Sequence, residues 1–148
     1  MILTDKEYDK NLIVNAVSDI ESACFSDPWT KASVMSQLSS DGTVFACSSD
    51  SDGNITGYVC GQAAADECEL YRIAVSDKYR GLGFAKELMD YFIGECKKRE
   101  IISVFLEVRS SNSPARSLYE KYGFQNIATR KNYYRSPTED AIIYKKEL

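Results

Sequence analysis

The stretch from Tyr71 to Leu88, Tyr-Arg-Ile-Ala-Val-Ser-Asp-Lys-Tyr-Arg-Gly-Leu-Gly-Phe-Ala-Lys-Glu-Leu, constrains this chain more than any other. An apolar strand is expected to end near Val75. A polar turn follows, then the glycine-bearing loop Arg80-Gly81-Leu82-Gly83, then a helix with apolar residues at Phe84, Leu88 and Phe92. Glycine lacks the Cβ that would hold a ligand away from the backbone. The first turn of a helix leaves N–H groups without partners, and the helix dipole adds positive potential there. Strand, loop and helix start therefore make either a tight turn without a ligand or an anion site, most often for phosphate. The loop is not Gly-x-x-x-x-Gly-Lys-[Ser/Thr], nor a full Gly-x-Gly-x-x-Gly, because Lys86 stands where the third glycine would be. The pattern that fits is Arg-x-x-Gly-x-Ala, from Arg80 to Ala85.

Around this stretch the periodicity alternates between strand and helix. Ile2-Leu3 opens a short strand. Ile13, Val17, Ile20 and Cys24 recur at helical spacing, so a helix is expected from Asn11 to about Phe25, ended by Asp27-Pro28. Thr30 or Ser33 caps a second helix through Val34 and Leu38. Val44–Cys47, Ile55–Ala63 and Glu69–Val75 read as strands of an antiparallel meander, with Asp52-Gly53 and Asp66-Glu67 at the turns. The glycine-loop helix is expected to reach about Arg99. Ile101–Val108 is a nearly continuous apolar strand, suited to a sheet centre and parallel to the strand ending at Val75. Ser113 as cap and Pro114 in the first turn start a further helix that Gly123 stops. Phe124–Tyr134 and Ala141–Tyr144 are the last strands. The expected fold is a mixed α/β domain spanning residues 1–148, with one curved mixed sheet and about four helices.

Composition narrows the chemistry. A chain of 148 residues is long enough to bury a real core. Its net charge of −4 argues against general nucleic-acid binding. Neither a signal peptide nor an apolar run of the ~20 residues needed to cross a bilayer is visible, so a cytoplasmic protein with no membrane partner is expected. The five cysteines are scattered and the chain has no histidine. A zinc site is therefore not expected, and free buried thiols are. Ser-His-Asp and Cys-His catalysis are excluded, which leaves proton transfer to carboxylate, tyrosine, lysine, cysteine or water.

Ligands of open α/β sheets bind beyond the carboxyl ends of the parallel strands. Glu107 lies at such an end. A lone carboxylate closing an apolar strand is either paired with Arg109 or Arg72, or it is a general base whose pKa burial has raised. Tyr119, on the following helix, is either a core residue or a proton donor. Trp29, Tyr133 and Tyr134 are either core or pocket wall.

Asn112-Ser-Pro-Ala115 followed by Leu118-Tyr-Glu-Lys-Tyr-Gly-Phe124 resembles the Asn-x-x-Ala-x-x-Leu-Tyr-x-x-x-Gly-Phe signature of the GNAT superfamily of acetyl-CoA-dependent N-acetyltransferases, in the right order after Arg80–Ala85. Pro28-Trp29-Thr30, Leu106–Asn112, Arg130–Tyr134 and Glu139–Ile143 are similar to one branch, the bacterial ribosomal-protein-alanine N-acetyltransferases. The match spans about residue 25 to the end, with one departure: Arg135 stands where the family often has Pro. The resemblance implies that the amides of Arg80, Gly81, Leu82, Gly83, Phe84 and Ala85 hold the CoA pyrophosphate. It implies that Ile73, Ala74 and Val75 pair with the pantetheine arm and polarise the thioester carbonyl, and that Asn112 contacts the cofactor. Glu107 would deprotonate the incoming α-amine, directly or through water, and Tyr119 would protonate the departing thiolate. Trp29, Tyr133 and Tyr134 would line the peptide N-terminus, of a ribosomal protein in that branch. The co-substrate is then acetyl-CoA, with no metal, in a monomer or weak dimer. Transfer to a small amine or antibiotic, or a non-catalytic CoA-binding module, are the other readings.

Overall fold

The computed structural model describes residues 1–4 and 6–148. A seven-stranded sheet runs in the order β1 (Ile2–Leu3), β2 (Thr43–Ser49), β3 (Ile55–Ala64), β4 (Glu67–Val75), β5 (Ser103–Arg109), β7 (Glu139–Glu147) and β6 (Gln125–Tyr134). The four helices are α1 (Lys10–Cys24), α2 (Lys31–Leu38), α3 (Phe84–Lys98) and α4 (Ser113–Lys121). The meander β2-β3-β4 and the parallel β4-β5 pair follow the sequence reading. The last strand, β7, slots antiparallel between β5 and β6.

The alternation of side chains explains the apolar runs. Val44 and Ala46 of β2 and Val59 of β3 face a core formed with Leu88, Met89 and Phe92 of α3 and Tyr119 of α4. Phe45, Cys47, Tyr58 and Cys60, one residue out of phase, face Ile13, Val17 and Ile20 of α1 and Val34 and Leu38 of α2. Both sheet faces are covered here, so neither can be polar. Asp9 caps α1 by accepting from Asn11 N–H, and Thr30, not Ser33, caps α2 by accepting from Ser33 N–H.

Several boundaries differ from expectation. β4 starts at Glu67, because Ala65 takes the positive φ of the turn and frees Glu67 to pair. β5 starts at Ser103, since Ile101 and Ile102 complete the turn out of α3. Asn112, not Ser113, caps α4: its side chain accepts from Ala115 N–H at 3.3 Å, and Ser113 is already helical.

One irregularity positions the site. β4 and β5 pair only from Glu67↔Ser103 to Leu70↔Leu106. At that point β4 bulges: Leu70 opposes Gly61 and Arg72 opposes Cys60, leaving Tyr71 as the extra residue. Gly61 is needed there, because a Cβ would lie 2.6 Å from the Glu69 carbonyl oxygen and 2.7 Å from the Phe92 ring. Beyond the bulge β4 stays with β3, and β5 stays with β7 through Glu107↔Ile143 and Arg109↔Ala141. The middle of the sheet splits. The edge of β4 that faces the split has no ladder partner beyond Leu70.

Candidate active site

Two clefts open at the split and share Glu107, which also borders a third, of about 440 Å³, beside the paired part of β4 and β5. One, of about 410 Å³, lies between the separated strands and is lined by Ile73, Glu107, Val108, Asn112, Ala115 and Tyr119, among others. The other, of about 630 Å³, is lined by Trp29, Glu69, Tyr71, Glu107, Tyr133 and Tyr134, among others. Glu107, Arg72, Asp27, Tyr71, Arg109 and Tyr134 border both. A group at Glu107 can therefore meet partners arriving from either side.

Glu107 is partly exposed, and its partner is neither Arg109 nor Arg72 but Arg130 of β6, at 3.6 Å. The reason is topological: β7 brings β6 alongside, while Arg109 and Arg72 are taken by other acids. The carboxylate of Glu107 holds the Tyr133 phenol above its usual range, chiefly by hydrogen bonding, and helps burial push Tyr134 up to about 12. Glu69, which the sequence reading passed over, faces the same cleft. Burial, and then the charge of Glu107, raise its pKa, against a lowering effect of Arg130. The polar–apolar alternation Glu67-Cys-Glu69-Leu-Tyr71 is the signal that marks Glu69 and Tyr71 as one outward face.

Tyr119 is 5% exposed, its ring packed on Phe124 and Tyr144. Among the described residues no partner takes its hydroxyl. Nor is any fully buried side-chain oxygen or nitrogen left without a partner, so this hydroxyl must touch the cleft that the residue lines. Burial raises its pKa, and it is protonated at neutral pH. It can donate a proton but cannot serve as a base. Burial also pushes the Cys47 and Cys60 thiols up to about 12, which removes them as nucleophiles.

The glycine loop lies outside both clefts, on an open rim beyond the end of β4. After Val75 a 3₁₀ turn, Asp77–Tyr79, leads to Arg80, whose Nε donates back to the Val75 carbonyl at 3.1 Å. Gly81 and Gly83 take φ of 77° and 93°, and Cβ atoms there would meet nothing within 4 Å. Gly83 is the N-cap of α3 and offers no side chain, so the amides of the first turn point into free space. Leu82, at 68% exposure, projects from the same rim. Ala74 and Val75 are buried, with Ile73 partly so at the free edge of β4. Asn112 borders the 410 Å³ cleft as well as capping α4.

Residues 14–124 match the model of the acetyltransferase (GNAT) family. The chain belongs to the GNAT family of acetyltransferases. Among relatives, it is 34% identical over 147 residues to the ribosomal protein bS18-alanine N-acetyltransferase of Haemophilus ducreyi, covering 97% of each chain. Among solved structures, that of the ribosomal-protein-S18-alanine N-acetyltransferase from Escherichia coli superimposes with a TM-score of 0.87 at 28% identity, covering 100% of this chain and 93% of that one. Ard1 from Thermoplasma volcanium gives a TM-score of 0.90 at 26% identity, covering 100% and 97%. The resemblance carried by Arg80–Ala85 and Asn112–Phe124 is thus borne out at the level of family, fold and acetyl-CoA-dependent N-acetyl transfer. No helix among the described residues is long and apolar enough to cross a membrane.

Proposed function

We propose that this chain transfers acetyl from acetyl-CoA to the α-amine of a protein N-terminus, the N-terminal alanine of a ribosomal protein foremost, by direct attack in a ternary complex. The observation that carries the proposal is the meeting of two clefts at Glu107. Transfer without an enzyme-bound intermediate needs both substrates at once, and adjoining clefts that share Glu107 would bring the amine to the thioester beside a base.

The residues fit a CoA chain entering at the rim. The amides of Gly81 to Ala85 would hold the pyrophosphate, in a cradle that a Cβ at Gly81 or Gly83 would reach first. The free edge of β4 at Ile73–Val75 would pair with the pantetheine amides, and Asn112 would contact the same arm. When bound, acetyl-CoA supplies an already activated thioester, so positioning and a polarising backbone N–H suffice for most of the acceleration.

The peptide terminus would enter the 630 Å³ cleft between Trp29, Tyr133 and Tyr134. An α-amine has a pKa near 8, so a modest base frees its lone pair. Glu107 takes that proton, directly or through water. The nitrogen attacks the thioester carbon and sheds its second proton to water as the carbon–sulfur bond breaks, while Tyr119 delivers its proton to the sulfur and is re-protonated from solvent. A ribosomal acceptor places the reaction in the cytoplasm, with the whole chain acting as one domain. The test is incubation with acetyl-CoA and an alanine-initiated ribosomal-protein peptide that also contains lysine, followed by tandem mass spectrometry. Acetyl on the α-amine supports the proposal. Acetyl on lysine alone, or on nothing, overturns it.

A further inference from the structure

Two arginines flank the split, one on each separated strand, and each grips chiefly a different wall of the acceptor cleft, Arg109 also donating to Ser26 Oγ on the other wall at 3.3 Å. Arg72 of β4 donates from Nη2 to the Asp27 carbonyl at 3.1 Å, and its guanidinium lies 4.3 Å from the Phe25 ring centroid and 4.9 Å from that of Trp29. It thereby grips the segment between α1 and α2. Arg109 of β5 donates to the carbonyls of Arg135 at 3.1 Å and Pro137 at 3.0 Å, and lies 4.4 Å from the Tyr134 ring. It grips the turn between β6 and β7.

Free cations beside a base that must receive an ammonium would repel the substrate. Both are neutralised from behind. Arg72 is paired with Glu21, a fully buried carboxylate of α1 that also accepts from Tyr58 Oη and from Trp29 N–H at 2.9 Å. Arg109 is paired with Glu139 at 3.5 Å. A planar guanidinium, with several donors in a fixed fork and a face for an aromatic ring, suits this bracing task, and an ammonium does not.

We propose that Arg72 and Arg109 are positioning residues that hold the two walls of the acceptor cleft in register, and so set the affinity for the acceptor without touching the reacting atoms. The inference rests on the proposed acceptor site. It predicts a split in the kinetics. Both arginines also border the 410 Å³ cleft, but the pyrophosphate seat at Gly81–Ala85 lies on another part of the rim, so loosening a wall should cost the acceptor more than acetyl-CoA. If a loosened wall holds its binding arrangement about a tenth of the time, the apparent acceptor KM rises about tenfold.

The experiment uses the full chain with R72K and R109K, which keep the charge and lose the fork. Each is expected to raise the acceptor-peptide KM about tenfold while the acetyl-CoA KM stays within about twofold. Unchanged acceptor KM in both variants, or an equal rise for both substrates, overturns the proposal. A substrate-free readout separates this from failure of the acceptor assignment. Trp29 is the sole tryptophan, so its emission reports one wall alone. R72K should increase acrylamide quenching of Trp29 more than R109K does, because among the described residues Arg109 reaches that wall through one hydrogen bond alone, to Ser26 Oγ. Quenching unchanged in R72K overturns the proposal even if wild type acetylates no peptide. Should R72K fold poorly, Tyr58→Phe, which removes one hydroxyl from the Glu21 carboxylate, carries the same quenching test with the same two outcomes.

Discussion

Replacing Tyr119 with Phe removes one oxygen and little else. The ring stays packed against Phe124, at 5.8 Å between centroids, and Tyr144, at 6.2 Å. The lost hydroxyl has no partner among the described residues, so none of them is left with a stranded donor or acceptor by its removal. The stability change should therefore stay within about 0.5 kcal/mol, the range of substitutions that break no network. The kinetic effect should be far larger. A group that protonates the leaving thiolate contributes roughly a hundred- to ten-thousand-fold, or about 2.7 to 5.4 kcal/mol of transition-state stabilisation. Because burial raises the pKa of the phenol, wild type should lose no activity through Tyr119 ionisation up to its ordinary value of about 10. The assay is release of free CoA thiol at saturating substrates, beside a thermal melt of the same preparations. An unchanged kcat refutes the assignment. A kcat that falls only in step with a large drop in Tm refutes the structural argument behind it.

Glu107→Gln keeps the size of the side chain and removes the base. It should lower kcat by roughly a hundred- to ten-thousand-fold without weakening acetyl-CoA binding, measured by calorimetry. Gly83→Ala places a methyl group in the open cradle and forces a left-handed φ of 93° on a residue that resists it, at about 1–2 kcal/mol. KM for acetyl-CoA should rise and KM for the acceptor should not, by initial-rate kinetics. Gly61→Val drives side-chain atoms toward the Glu69 carbonyl and the Phe92 ring opposite the bulge, and should cost about 1–3 kcal/mol in denaturant unfolding. Glu139 has its pKa lowered by hydrogen bonds from Ser111 and Ser110 and by Arg109. A lowered folded pKa means stability present above the unfolded value, about 4.3, and lost as pH falls through the folded one. Glu139→Gln should flatten that acid limb in a Tm-against-pH series.

The elements were legible because local signals agreed with the global pattern. Gly81, Gly83 and the apolar stripe of α3 mark a helix start, and the out-of-phase apolar residues of β2 and β3 mark strands covered on both faces. Asp52-Gly53 fixed a turn because few residues other than glycine accept φ of 83°. Non-local facts were harder to read. That β7 lies between β5 and β6 is set by pairing across the whole sheet, and it gives Glu107 its partner Arg130. The bulge at Tyr71 had one written sign, Gly61 inside a strand, which marks a close approach of backbone without saying from where. Glu21 falls on the apolar side of α1, four residues after Val17, but only the fold shows that Tyr58, Arg72 and Trp29 converge on it.

The central claim is that two clefts meeting at Glu107 hold acetyl-CoA and a peptide terminus together. A conjugate in which the CoA sulfur is joined through an acetyl bridge to the α-amine of an alanine-initiated peptide would occupy both at once. Linking two binders that fit simultaneously raises affinity by about 10²- to 10⁴-fold over either alone. Titration calorimetry should show one conjugate per chain, bound at least about a hundredfold more tightly than CoA or the peptide. Affinity no greater than that of CoA alone would contradict the account.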